Sequence, residues 1–564
     1  MTYENQEEHQ KQGGNEQSSP PNEFQQDQLQ QNQDHHNQDI QDQSFSQLDE
    51  QEESQSDGEG EHYHSSEVRR QKQTAPVEPI PSNIDEILIR LEEEIGYKKS
   101  FDVSVREMTI GNTRIAMLCV SGLVNSTIML EILKRLTFLE AKDLGYDALH
   151  SFFTYYVPSA QVRKEEDWNL LIASVLGGEC ALFIDNQPIA LSIEVRNFPA
   201  RGLSEPSLEK VVRGSRDGFN ETLMVNISLV RRRLKDPMLR YELLRVGTRT
   251  KTDVCIAYID DIVDKSLLAS IKKKIEAVRI DGLPLADKQL EEVTINRAWN
   301  PFPLVRYSER PDTVASHLLE GAVAVFVDTS PSVMTMPTTY ADLMQHAEEN
   351  RQTPFVGTYL RWVRFIGIMM SLILLPLWLL FVLHPEYLPD ILSFVGPKET
   401  GEIPIVVQFI IAEIGVDLLR MASVHTPTSL ATAMSLVAAI LIGDIAVQTG
   451  LFVNEVILYM AIAAVGMFAT PSYELGLANR LIRLLLIVTV SLFGLAGLVI
   501  PITLIIVALS MERSVNRPYL WPFIPFDLKA VINILIRKPM LYNRTRPNIM
   551  RPQQYDRMPN EDTN

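Results

Sequence analysis

The alternation of hydrophobic and polar positions divides the chain into three unlike stretches. Residues 1–75 are almost free of aliphatic side chains, residues 76–353 alternate short apolar and polar runs, and from residue 354 the apolar runs lengthen towards the span of a bilayer. In the middle stretch, residues 83–96 carry apolar side chains at helical spacing behind a capping Ser82 or Asn83. Residues 103–124 read as strands around the Gly111-Asn112 turn, and residues 126–142 as an amphipathic helix with a Ser126 cap. A helix from Trp168 should end at Gly177-Gly178 and lead into a hairpin. Residues 241–264 then predict a strand ending in acidic residues, and residues 265–281 a helix. This is the pattern of an α/β region. Its hairpin at 178–195 is echoed at 321–337, where a glycine, alternating apolar residues, an aspartate and a proline-containing turn recur behind another helix, so two related half-domains are expected.

In the last third, residues 365–383 form an uncharged run of spanning length. Arg351, Arg361 and Arg364 precede it, which places its N-terminal side in the cytosol. Residues 430–450 and 451–469 read as two further spans. Residues 481–510 are long for one span and carry Gly494, Gly497 and Pro501, so a kinked crossing or a broken helix is expected. Residues 404–415 offer only about 18 Å of helix, which predicts a re-entrant piece unless the charged end is also immersed. The stretch after residue 512 is basic and belongs in the cytosol by the same positive-inside logic. An even number of crossings follows: four plus the re-entrant piece, with six left open by Arg480 and Arg483.

The ionisable residues inside these apolar runs are the candidate chemistry. Glu413, Asp417 and Arg420 fall at i, i+4 and i+7, on one face of a helix, and Asp444 and Glu455 sit in the next two runs. Each such group costs about 2.5–3.5 kcal/mol at membrane depth, so it faces either a watery path or a bundle interior. The five are therefore ion-pathway candidates, with a structural ion cluster in which Arg420 neutralises Asp417 as the alternative. Glu413 and Asp417 repel when both are ionised, which calls for a third charge, a bound cation or a proton.

Composition refines this picture. Of the net charge of −19, residues 1–75 supply −13, from seventeen acidic and four basic side chains, so the acidity says little about the folded part. The same segment is rich in glutamine and too poor in apolar surface to offset its chain entropy, and is expected to be disordered. Its histidines lack ligand spacing, and no metal site is expected. No secretory signal follows Met1, so the N-terminus is expected in the cytosol. Cys119, Cys180 and Cys255 lack any paired spacing and are expected as reduced, packed thiols. The loop at 213–219, RGSRDGF, is not a P-loop; its Arg213, Arg216 and Asp217 either meet an acidic partner or pair with a neighbouring domain or subunit. Arg306, Glu309, Arg310 and Asp312 form a second set of domain or subunit contact candidates. Asp260, Asp261 and Asp264 at a strand-to-helix junction read as caps. With no catalytic motif in a fitting context, no enzyme, no cofactor and no nucleic-acid partner are expected.

The expected fold is multidomain: a disordered Gln-rich acidic tail (1–75), a cytosolic region of two α/β subdomains (76–205 and 206–353), an all-α polytopic membrane domain (354–512) and a basic cytosolic C-terminal tail (513–564). Over residues 167–539 the chain resembles the A-subunit family of spore germination receptors, the GerA type. The motifs that carry the resemblance are RGSRDGF, NPFPLVRYSERPD (300–312), LLEGAVAVFVDTSPSV (318–333) and PSYELGLANRLIR (471–483). LRWVRFIGI, LPLWLLFVLHPE, HTPTSLATAM and PYLWPFIPFD are similar to the stage V sporulation AF branch more than to nutrient-receptor A subunits. The long Gln-rich tail departs from the family pattern. What the resemblance implies is a protein of the inner spore membrane, a homo-oligomer of pentameric type that forms a gated channel for monovalent cations alongside other germination membrane proteins. A non-conducting scaffold or signalling subunit is the competing expectation, and a carrier-type transporter is disfavoured because the hydrophobic third shows no clear inverted repeat.

Overall fold

The computed structural model describes residues 77–557, apart from residues 145–146, 200–208, 210, 296–298, 389–390, 392–395, 398–400, 426–435 and 438–445. Helix α1 (Ile84–Glu94) starts where the Asn83 side chain accepts from the Asp85 amide. Strands β1 (Val103–Ile110) and β2 (Thr113–Val120) form the expected hairpin around Gly111. Helix α2 (Ser126–Thr137) is capped by Asn125, not by Ser126, because the Asn125 side chain reaches two amides of the first turn. Strand β3 (Val162–Glu165), helix α3 (Trp168–Leu176) and the hairpin β4 (Cys180–Ile184) and β5 (Ala190–Ile193) complete a five-stranded antiparallel sheet of order β1-β2-β4-β5-β3.

Alternate residues of one strand serve two cores. Ala116 and Leu118 of β2 pack with Ile87, Leu91, Trp168 and Leu171 of α1 and α3. Ile115 and Met117 pack with Ile132 and Leu136 of α2. Both faces of the sheet are covered, which is why β4 is apolar at every position and β5 at all but Ser192, whose buried hydroxyl donates to the Glu179 carboxylate.

The second half repeats the plan. After α4 (Leu223–Arg233) come β6 (Leu239–Val246), β7 (Thr252–Ile259), α5 (Lys265–Glu276), α6 (Ala286–Ile295), β8 (Arg306–Ser308), α7 (Pro311–Leu319), β9 (Val323–Val327) and β10 (Val333–Met336), in the sheet order β6-β7-β9-β10-β8. Residues 241–264 thus hold most of a hairpin, not one strand, because 247–251 reverse the chain between β6 and β7. The two hairpins that echo each other in sequence, β4-β5 and β9-β10, occupy the same place in two sheets of the same order. The halves are joined by a buried ion pair from Arg231 Nε to Asp102 Oδ2 at 2.9 Å, and by Arg240 Nη2 donating to the Glu94 carbonyl at 3.0 Å. Asp264 caps α5 through the Ser266 amide and also pairs with Arg517. All three cysteines are free thiols, with Cys180 and Cys255 buried.

The helical region comprises α8 (Pro354–Leu383), α9 (Ile405–His425), α10 (Asn454–Phe468), α11 (Tyr473–Phe493) and α12 (Leu495–Met511). Among the described residues two helices, α8 and α11, are long and apolar enough to cross a membrane by length and composition, and α10 and α12 are shorter apolar helices. The expected re-entrant piece is instead the start of the continuous α9, because the charges that would have stopped it find partners in the bundle. The long run at 481–510 is broken at Gly494, whose φ of +55° reverses the chain between α11 and α12; a Cβ there would lie 2.6 Å from His384 Nε2 at the end of α8. Helices α8 and α10 cross at a pair of glycines, where a Cβ on Gly466 would come within 2.2 Å of the Gly367 carbonyl oxygen. Most of the expected span at 430–450, including Asp444, lies outside the described residues.

Residues 513–557 do not form a loose tail. Ser514 Oγ donates to the Leu304 carbonyl at 2.6 Å, Tyr519 is buried against Phe302 and Tyr340, and Gln553 and Arg546 bond to carbonyls of the second half. One further helix, α13 (Leu528–Leu535), starts at Asp527.

Candidate functional site

Helix α9 presents two faces. Val407, Ile411, Ile414, Leu418 and Met421 are exposed, whereas Gln408, Phe409, Ala412 and Glu413 are buried. The buried polar side chains are not left alone. Gln408 donates to the Ile403 carbonyl at 2.7 Å and accepts from the Val453 amide at 3.0 Å, which ties α9 to the start of α10.

Glu413 is fully buried and is held by two arginines of α11. Its Oε1 lies 2.6 Å from Arg483 Nε; its Oε2 lies 2.9 Å from Arg483 Nη2 and 3.1 Å from Arg480 Nε. Arg483 also donates through Nη1 to the Ser371 carbonyl at 2.8 Å and hydroxyl at 3.1 Å, so α8 is drawn into the same knot. Arg480 reaches further, to the Glu413 carbonyl and to the carboxylate of Asp417. Two guanidiniums thus face two carboxylates, which supplies the third charge that the i, i+4 acidic pair required. Asp417 differs from Glu413 in one respect: its side chain is 48% exposed.

Arg420 does not fill the role expected of it. Its guanidinium lies over the Tyr473 ring, 4.2 Å from the centroid, and the ion-pair partner of Asp417 is Arg480 instead. Glu455 is in the first turn of α10, where a carboxylate favours the helix N-terminus, and not midway along a span. Arg480, Arg483 and Ser371 were missed as site residues from the sequence. The signal was available, because two arginines three apart in an apolar run must find anions, but nothing along the chain says that the anions lie some seventy residues upstream.

A second ion cluster joins the α/β region to α8. Glu349, in the short helix Ala347–Arg351, is buried; it accepts from Arg361 Nε at 2.9 Å and pairs with Arg364. The chain reverses between the two, so that the short helix folds back on the first turns of α8 with no flexible segment between them.

Of the remaining contact candidates, Arg306, Arg310, Asp312 and Asp217 make contacts within the chain. Arg310 is fully buried and chelates Asp312 at 3.1 and 2.9 Å while donating to the Glu209 and Ser215 carbonyls, each at 3.1 Å. Asp312 also pairs with Arg351; burial alone would raise its carboxyl, but the Arg310 and Arg351 guanidiniums hold it below the usual range. Arg306 donates to the Asp342 carbonyl at 2.9 Å and lies 3.4 Å from Glu209. The Glu309 carbonyl accepts from the Phe219 amide at 2.9 Å. Asp217 pairs with Arg233 at 2.5 Å, while Arg213 and Arg216 are exposed.

These features define a class: a duplicated α/β region joined through ion pairs to apolar helices that enclose an ion cluster of their own. The family model described as Bacillus/Clostridium GerA spore germination protein matches residues 90–549, and the chain belongs to that family. It is similar to stage V sporulation protein AF of Bacillus subtilis (strain 168), with 46% identity over 465 residues covering 82% of this chain and 94% of that one. Spore germination protein KA of the same organism is 30% identical, with 85% and 88% covered, and spore germination protein GerLA of Bacillus cereus is 25% identical, with 86% and 98% covered. Among solved structures, the N-terminal domain of the A subunit of the Bacillus megaterium spore germinant receptor GerK3 matches at 26% identity and a TM-score of 0.37, over 46% of this chain and 97% of that one.

Proposed function

We propose that the chain is a polytopic protein of the inner spore membrane, with both termini in the cytosol, that assembles with copies of itself into a gated channel releasing monovalent cations during germination. The observation that carries this reading is Asp417. It is a half-exposed carboxylate of α9, between Ile414 and Leu418, both of which are exposed. A carboxylate presented to lipid is costly, so this edge of α9 faces water or a neighbouring protomer. An ion path between protomers, lined by Asp417 and not by the sealed Glu413, satisfies both the charge and the apolar surface around it. A ring of protomers, a pentamer in the family reading, closes such a path.

Asp417→Asn tests the reading with the least damage to the fold, since Arg480 keeps its bond to Glu413. Cation release from germinating spores should fall severalfold at unchanged protein level; unchanged release removes the path from this edge. The detergent-solubilised mass gives the stoichiometry, and a monomer would sink the ring.

One observation favours the second reading, a non-conducting scaffold of a germination complex with other membrane proteins. Glu413, the most deeply placed carboxylate of α9, has its charge matched inside the protomer. Under that reading Asp417→Asn spores release cations normally, and the purified region 76–353 still binds its partners.

A further inference from the structure

Helix α13 is amphipathic in the wrong direction for a soluble protein. Leu528, Val531, Ile532, Leu535 and Ile536 recur at i, i+3, i+4, i+7 and i+8, one continuous stripe. None of the helix's residues is buried, and Leu528 is 60% exposed. The polar side chains Lys529 and Asn533 instead line a cavity shared with Arg546 and Asn543, so the stripe points away from the protein. Apolar exposure continues on either side, at Ile524 and Phe526 before the helix and at Leu541 and Tyr542 after it.

The position of the helix is set by α8. Arg361 Nη1 donates to the Asn533 and Ile534 carbonyls at 3.0 and 3.1 Å, and the Arg537 amide donates to Thr358 Oγ1 at 3.0 Å. These bonds hold α13 beside the first turns of α8, where Phe355, Tyr359 and Trp362 are exposed, an aromatic set of the kind found at the mouth of a span. Residues 524–544 carry four basic side chains, Lys529, Arg537, Lys538 and Arg544, against the single acid Asp527.

We propose that α13 is an in-plane anchor. It lies on the cytosolic leaflet with its apolar stripe at the boundary of headgroups and acyl chains, and its basic residues meet anionic lipid headgroups. The proposal rests on the reading of α8 as a span. The stripe, the aromatic set beside it and the excess of positive charge all match an anionic bilayer surface. Because Arg361 bonds both to α13 and to Glu349, the anchor ties the cytosolic half to the membrane plane at the point where the first span begins.

The test uses the full-length chain reconstituted in vesicles of phosphatidylcholine and phosphatidylglycerol. Cysteine is introduced singly in Leu528→Cys, Ile532→Cys, Lys529→Cys and, in α8, Ile366→Cys, and labelled with an environment-sensitive fluorophore; the unsubstituted chain gives the background from the native thiols. Nitroxides carried near the lipid headgroups should quench the labels at 528 and 532 by about twofold more than the label at 529, and less when phosphatidylglycerol is left out. Equal quenching at all three positions overturns the anchor. So does a blue-shifted, unquenched label at 532, which would mean that a second copy or another protein covers the stripe. Quenching that does not change in phosphatidylcholine alone overturns the anionic preference. The label at 366 separates the two readings: acyl-chain nitroxides that quench there, with no quenching at 532, sink the anchor alone, whereas no quenching at 366 sinks the span on which it rests.

Discussion

Glu413 and Asp417 lie one turn apart on α9 and differ in what their loss should do. Glu413 is sealed with Arg480 and Arg483, so Glu413→Gln leaves two arginines short of a charge in the apolar interior. Breaking a buried pair by removing one partner costs about 3–5 kcal/mol, and the expected outcome is a fall in protein abundance in spores and in melting temperature in detergent. A Glu413→Gln protein that melts like the wild type would mean that the cluster does not hold the fold. A second residue-scale effect lies in the α/β region. Burial, aided by Arg306, pushes His317 down to about 3, and burial with Arg364 and Arg306 pushes His346 down to about 4. Both rings are neutral in the fold and take up protons on unfolding. Their contribution is therefore complete above the ordinary value of 6.5 and is lost as pH falls towards about 4 and then about 3. The melting temperature should drop between about pH 7 and about pH 5, and the drop should be shallower in His317→Gln.

At the scale of elements, the crossing of α8 and α10 depends on a site with no room for a side chain. Gly466→Val places atoms where the Gly367 carbonyl and Ser371 Cβ already sit, the nearest 2.2 Å from the new Cβ. Overpacking of this kind costs about 1–3 kcal/mol or more, and it shifts Ser371, which holds Arg483. The expected result is a lower melting temperature, with Gly466→Ala milder than Gly466→Val; equal stability of all three would show that the helices part freely. The same elements show how far the sequence was legible. Strand and helix periods located the hairpins β1-β2 and β4-β5, the helices α1, α3 and α5, and the echo between β4-β5 and β9-β10, because each rests on local alternation, a cap or a glycine turn. The break at Gly494 was readable from its breakers. What sequence could not supply was pairing across distance. Arg420 was the nearest cation to Asp417 along the chain, yet Arg480, on another helix, holds it. A short apolar segment ending in charges read as re-entrant because the neutralising arginines lay beyond the window that a helical period can scan. Arg310 and Asp312 were legible as contact residues, but whether they served the chain or a neighbour was not, and they close the second half on itself and on Arg351.

For the whole molecule, the question is whether the α/β region acts on the helices. Three ties converge on the first turns of α8: Glu349 with Arg361 and Arg364, Asp312 with Arg351 just upstream, and Arg537 of the C-terminal segment bonded to Thr358 and to the Asn350 carbonyl. A junction clamped in this way passes on rotation or translation of the second sheet, where a flexible one would absorb it. If the two regions are coupled, the clamp and not the length of chain around Thr353 carries the coupling. Inserting six glycine and serine residues after Thr353 lets α8 start out of register with Glu349 and releases the clamp from one side. Glu349→Gln weakens the same clamp without lengthening the chain. If movement of the α/β region biases the gate, both changes should depress germination-linked cation release to a similar degree at normal protein level. If the insertion alone does so, connection length matters and the ion pairs do not. If release survives both, the α/β region does not drive the helices through this junction.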